Sequence, residues 1–234
     1  MSLTVRRRHD RGHFQHGWLE TYHTFSFGDF FDPEWTQFRS LRVMNEDVVA
    51  AGQGFGMHGH RDMEIVTWVL SGELEHRDSL GHGEILRPGE MQFMSAGSGI
   101  RHSEFNPSAT TPAHLYQIWL LPEQPQLTPT YDQRAFGAEG RQNRWQTLAA
   151  RDGREGALPI RSNAVVSVAE LSKQARLSAK FAPDRSGWLQ VTRGEVQLTP
   201  ELILSAGDGV ACTRESMLEI VAVQPSEVLL FDLG

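Results

Sequence analysis

Two stretches of this chain are written alike, and that echo constrains its fold more than any single segment does. The run Val69-Leu70-Ser71-Gly72-Glu73-Leu74 is followed by Pro88-Gly89-Glu90-Met91; the run Val191-Thr192-Arg193-Gly194-Glu195-Val196 is followed by Ala206-Gly207-Asp208-Gly209. Each copy offers a strand, a tight glycine turn, a second strand and a further turn of glycine with an acid. A chain of 234 residues can give each copy its own hydrophobic core. The expectation is an all-β protein of two similar domains.

Other segments agree with this reading. From Leu41 onward, short runs rich in Val, Ile, Leu and aromatics are broken by glycine and proline, as at 64–70, 90–94, 115–121 and 228–233. Helical periodicity is nearly absent, and its best candidate is the short stretch 168–175. Residues 122–156, rich in Pro, Gln, Gly and Arg, read as the segment crossing between domains, with the boundary near 121–151. The domains are therefore placed at 1–130 and 131–234.

Composition then narrows the chemistry. The single cysteine, Cys212, rules out an internal disulfide and any thiolate cluster, so a metal site must be built from imidazoles and carboxylates. Every one of the ten histidines lies at or before His114, so such a site belongs to the first domain and leaves the second a structural role. A net charge of −7 provides no general basic field for a phosphate backbone, and Arg6, Arg7 and Arg8 read as a solvated edge; direct nucleic-acid binding is not expected. No run approaches the roughly 20 apolar residues that span a bilayer. No apolar run follows the N-terminal arginines as it would in a secretory signal, so the expected location is cytoplasmic, with no membrane partner.

Two motifs carry the chemistry. In Gly52-Gln53-Gly54-Phe55-Gly56-Met57-His58-Gly59-His60, two imidazoles stand two residues apart after a glycine-rich bend, and in a strand such residues face the same side. Gly99-Ile100-Arg101-His102-Ser103-Glu104 repeats the spacing with a histidine and a carboxylate. Brought side by side, the two strands would converge three nitrogens and one oxygen on one point, a donor set that suits iron among other divalent ions and leaves positions open. Taken singly, each histidine reads as well as a buried ring bonded to backbone; the joint pattern favours a metal.

These residues also carry a family resemblance. His58-x-His60-x-x-x-Glu64, Gly72, Pro88-Gly89 and His102-x-x-x-Asn106 resemble the two cupin motifs. The blocks Gly17-Trp18-Leu19, His23-Thr24-Phe25-Ser26-Phe27, 54–60 and 94–104 resemble the pirin family of bicupins, closely over the first 120 residues and more loosely beyond. The resemblance implies two tandem cupin barrels of the double-stranded β-helix, jelly-roll-like kind. It also implies one metal ion, iron(II), on His58, His60, His102 and Glu104, in a site that zinc, nickel, copper or manganese could also enter. Bacterial pirins are associated with quercetin 2,3-dioxygenase activity, in which dioxygen opens the flavonol heterocycle and carbon monoxide is released. A small flavonol-like aromatic and dioxygen are then the expected partners, with Glu104 as the catalytic base. The alternative implied by other pirins is a redox-sensing regulatory protein in which iron alters the surface shown to a protein partner.

The remaining candidates have plainer readings. Glu64 shares the parity of His58 and His60 and is kept as a supporting or alternate ligand. His23 reads as a core-strand residue before a pocket-lining one, and His76 and His114 as satisfied core or rim histidines. Phe55, Met57 and Met94 flank the proposed ligands and could form an apolar wall for a flat substrate, or simply barrel core.

Overall fold

The computed structural model describes residues 2–214 and 217–234. The chain divides into two compact units, one comprising residues 12–136 with 160–162, the other comprising the residues up to Arg11 with 137–159 and 163–234. Among the described residues there is no α-helix, only 3-10 turns at Arg8–Asp10, Ala138–Gly140 and Arg154–Gly156. No helix is long and apolar enough to cross a membrane among those residues.

The first unit pairs a seven-stranded sheet with a four-stranded one. The larger sheet runs in the order Thr130–Ala135, Glu90–Ser95, Glu64–Ser71, Ala113–Leu120, Leu41–Val49, Leu19–His23, Gly12–Gln15. The smaller runs Gly54–His60, Ile100–Phe105, Leu74–Asp78, Gly83–Leu86. Alternation in the strands separates inside from outside: in Ile100–Phe105, residues Ile100, His102 and Glu104 are buried while Arg101 and Phe105 are exposed. Leu19, Val49, Val69, Leu74, Leu86, Ala113 and Leu115 fill one part of this barrel, and Ile65, Met94, Ala96 and Ile100 another.

The second unit repeats the plan. Its larger sheet runs Ser2–Arg6, Gly209–Thr213, Ser186–Arg193, Ser226–Leu233, Ala164–Leu171, Gln146–Ala150, Leu158–Pro159, and its smaller one Arg176–Lys180, Met217–Ala222, Glu195–Thr199, Leu202–Ser205. The glycine turn that betrayed the repeat is the same device in both. Gly72 (φ 77°) and Gly194 (φ 76°) take the left-handed conformation, and a Cβ there would meet the Pro112 carbonyl oxygen at 2.5 Å or that of Pro225 at 2.3 Å. The protein is a bicupin.

Four expectations need correcting. The helix candidate at 168–175 lies largely on the strand Ala164–Leu171, whose Val-rich backbone is paired on both sides, with Ser226–Leu233 and Gln146–Ala150. Sheet pairing outweighs a weak local period there. The arginine run is no solvated edge: Arg6 is buried, Arg7 donates to an Asp208 carboxylate oxygen at 2.7 Å, and Arg11 donates to the Gly207 carbonyl at 3.0 Å. These contacts anchor Ser2–Arg6 beside Gly209–Thr213, so residues 2–11 lie with the unit otherwise built from 137 onward, not with 12–136 as the expected 1–130 division placed them. The expected crossing segment is strand-bearing too, with Thr130–Ala135 in one unit and Gln146–Ala150 in the other.

Candidate metal centre

The histidine pairs meet on neighbouring strands. Gly54–His60 and Ile100–Phe105 run antiparallel with His58 opposite His102 and His60 opposite Ile100. The register then slips, so that Glu104 faces Phe55, and one extra residue is accommodated in the glycine-rich strand. This bulge brings Phe55 onto the same inner face as His58 and His60 despite its odd number, while Met57 turns outward to solvent.

Three imidazoles converge there. Ring centroids lie 4.5 Å apart for His58 and His102, 4.7 Å for His58 and His60, and 4.8 Å for His60 and His102. One nitrogen from each falls within 4.8 Å of the others. The Nε2 atoms of His58 and His102 are 3.0 Å apart. Behind His58, Nδ1 lies 2.8 Å from the Gly56 carbonyl oxygen, which can only accept; Nδ1 therefore carries the proton and Nε2 of the neutral ring is a lone pair. Burial, then the charge of neighbouring rings, lowers the pKa of both His60 and His102 to about 3, so both are neutral near pH 7.

Glu104 completes the inner face. It is buried, and Gln117 donates its amide to Oε2 at 2.6 Å. Oε1 is buried without a hydrogen-bond partner; the Gln92 amide helps to favour the carboxylate form without meeting hydrogen-bond geometry. Burial raises the Glu104 pKa, and the Gln117 hydrogen bond opposes that shift. Such an orphaned oxygen is costly in a dry interior unless something binds it. Three convergent imidazoles and a buried carboxylate oxygen are the donors a divalent ion of the iron, nickel or zinc type takes. A nitrogen separation of 3.0 Å also suits two right-angle ligands each about 2.1 Å from one ion.

The chain is similar to known proteins over nearly its whole length. The family model described as Pirin matches residues 4–120, and that described as Quercetinase C-terminal cupin domain matches residues 147–233. The chain belongs to the pirin family. A protein named quercetin 2,3-dioxygenase from Escherichia coli K12 is 46% identical over 232 residues, covering 99% of this chain and 98% of its own. A putative quercetin 2,3-dioxygenase of Pasteurella multocida is 42% identical over 236 residues, covering 99% of each chain. Among solved structures, bacterial pirin YhhW from Escherichia coli in complex with nickel(II) superposes with a TM-score of 0.94 at 45% identity, covering 100% of this chain and 99% of that one.

Beside the histidines this pirin has a cavity of about 510 Å³, a size that accepts a small-molecule ligand. Trp18, Phe27, Phe55 and Trp119 wall it, with Asn45, Asp47 and Thr21 among its polar lining. Phe27 and His60 each meet Trp119 edge-on, with centroids 5.3 Å and 4.8 Å away. Of the three residues considered for an apolar wall, only Phe55 lines the cavity; Met57 is 49% exposed and Met94 is packed with Ile65, Ala96 and Ile100. His23 lines the cavity as well, in contrast to its plainer reading. Trp18 and Phe27 stood inside the family-like blocks, but nothing in their spacing marked them; Gln117, Asp47 and Trp119 had no signal at all.

Glu64 takes no part in either metal-competent grouping of the described residues. Its Oε1 accepts from the Ser95 hydroxyl at 2.5 Å and its Oε2 from the Arg161 amide at 2.8 Å. Asp62 at φ 49° breaks the strand after His60, and Glu64 begins a strand of the other sheet, so parity does not carry across. His114 is satisfied by Glu46 at 3.2 Å, as expected of a rim histidine. The second barrel fills the corresponding strand pair with Leu177, Ala179, Leu218 and Ile220, apolar residues of its core.

Proposed function

We propose that this pirin is a metal-dependent dioxygenase of the quercetin 2,3-dioxygenase type, with one ion held by His58, His60 and His102 through nitrogen and by Glu104 through Oε1. The observation that carries the reading is the convergence of the His58, His60 and His102 nitrogens, with His58 and His60 lining an aromatic cavity that the Glu104 side chain, its Oε1 unpartnered, also lines. A bound divalent ion, iron(II) by family resemblance, supplies Lewis-acid and one-electron chemistry toward a flavonol and dioxygen.

The chain's own residues do the rest. Trp18, Phe27, Phe55 and Trp119 hold a flat ring system by edge and face contacts and keep water from it. Asp47 and the buried Oδ1 of Asn45, which has no hydrogen-bond partner, accept hydrogen bonds from ring hydroxyls. Once free of the ion, Oε1 of Glu104 would take the proton of the flavonol 3-hydroxyl while Gln117 keeps Oε2 in place. The upward shift of its pKa by burial makes it a stronger base than an exposed carboxylate.

The test is quercetin turnover with carbon monoxide release by chelator-stripped and reloaded protein. Turnover lost on stripping and restored by iron(II) or nickel(II) is the expected result. Full turnover by a His58→Ala, His102→Ala double variant would refute the assignment.

A further inference from the structure

Behind His102, on the side away from the cavity, stands a second polar group that the proposed chemistry does not use. Across the strand pair Ile100–Phe105 and Leu74–Asp78, His102 faces Asp78 and Glu104 faces His76. The side chains of His76 and Asp78 are fully buried. The Nδ1 atoms of His102 and His76 are 3.4 Å apart, and Nε2 of His76 lies 3.1 Å from Oδ2 of Asp78. Asp78 is itself held by the backbone amides of Leu80 and His82, which donate to Oδ1 at 2.8 and 3.1 Å, and by Nδ1 of His82, 2.9 Å from Oδ2. Tyr131 lies stacked on both rings, 4.5 Å from His76 and 4.9 Å from His82.

The donor and acceptor roles run in one direction. Asp78 can only accept, so Nε2 of His76 carries the proton and donates. Burial alone would raise the Asp78 pKa, but hydrogen bonds from His76 and His82 outweigh it and keep the carboxylate ionised. With that proton on Nε2, Nδ1 of His76 is placed to accept from Nδ1–H of His102. That leaves the His102 lone pair on Nε2, the atom 3.0 Å from His58.

We propose that Asp78 and His76 form a positioning relay that fixes the proton of His102 on Nδ1 and holds its Nε2 lone pair toward the cavity. The proposal rests on the reading of His58, His60, His102 and Glu104 as a metal centre. Histidine ligands are commonly oriented by a partner on their other nitrogen, with effects of about ten- to a hundredfold on metal affinity; here the partner is a second imidazole, and the carboxylate stands one ring further back. His76 also shares a metal-competent grouping with His102 and Glu104, but both of its nitrogens are engaged in the relay.

Two measurements on the full chain test it. Long-range nitrogen–proton NMR on metal-free protein reads the tautomer directly, without any substitution; the relay predicts Nδ1–H for His102 and Nε2–H for His76. Cobalt(II) titration, followed by its visible absorption, compares wild type with His76→Leu, His76→Gln and His58→Ala. Leucine removes both hydrogen bonds and should weaken binding about tenfold or more, whereas glutamine, which can accept from His102 and donate to Asp78, should restore most of it. A purely structural role for His76 would not produce rescue by glutamine together with a shifted cobalt spectrum in the leucine variant. An Nε2–H His102, or unchanged cobalt affinity in His76→Leu beside a weakened His58→Ala, would overturn the relay and leave the metal centre standing. Cobalt bound equally well by His58→Ala would remove the metal centre, and with it the relay's role, even with the tautomers as stated.

Discussion

His58 and His102 aim their Nε2 atoms at each other across one rung of an antiparallel strand pair, 3.0 Å apart. With Nδ1 of His58 committed to the Gly56 carbonyl, and Nδ1 of His102 protonated toward His76 as the proposed relay has it, the facing atoms of the neutral rings are two lone pairs. Two lone pairs at that distance repel until a cation lies between them. On the proposed reading of this rung as a metal site, a bound cation would remove that repulsion.

Metal should accordingly stabilise the protein. Free ion at about 100 times its Kd adds about 2.7 kcal/mol, which for a chain of this size raises Tm by roughly 5–10 °C. Thermal scans with and without nickel(II) read this shift, and His102→Ala should lose it.

The same rings make metal-free protein sensitive to acid. The folded pKa values of His60 and His102, about 3, lie below the ordinary value of 6.5, so the unfolded chain binds protons first as pH falls. Their stabilisation is complete above pH 6.5 and is lost progressively as pH falls from 6.5 toward 3. Urea midpoints of stripped protein at pH 7 and pH 5 should differ, and His102→Leu should narrow the difference; parallel loss in both proteins would count against it.

Gly54 sets how closely the two site strands approach. A Cβ there would lie 2.1 Å from the Glu104 carbonyl oxygen and 2.5 Å from the Phe105 Cα, both backbone atoms that no rotamer change can move. Gly54→Ala should cost about 1–3 kcal/mol as an overpacking substitution and weaken metal binding by displacing His58 from His102. Chemical denaturation and nickel titration of the variant check both effects.

The aromatic wall should act on substrate affinity more than on chemistry. Trp18 stands edge-on to Phe55, 5.1 Å between centroids, at the cavity lining. Trp18→Ala should raise KM for quercetin about fivefold, in keeping with the ~1 kcal/mol of a good aromatic contact, with kcat and metal content little changed. Equal loss in kcat would place Trp18 closer to the reacting atoms than the cavity suggests.

What could be read in advance followed from period-two spacing. His58 with His60, and His102 with Glu104, each sit on one continuous strand, so parity alone puts them on one face. Glu64 shows where that rule ends, because a turn at Asp62 intervenes and resets the face. Phe55 shows the opposite case, a residue of the wrong parity carried inward by a bulge. Trp119, Gln117 and Asp47 come from strands paired far along the chain, and nothing local announces which of their faces meets the histidines. The placement of Ser2–Arg6 beside Gly209–Thr213 is likewise a long-range pairing, visible only once Arg7 is seen to hold Asp208.

The most direct test joins metal content to chemistry in one experiment. Protein purified without air is analysed for metal, and oxygen uptake is followed on adding quercetin, for wild type and for Glu104→Ala. The account predicts close to one ion per wild-type chain and rapid uptake, with uptake abolished in the variant. Undiminished uptake by Glu104→Ala, or a wild-type protein that consumes oxygen with quercetin while holding no metal, would contradict it.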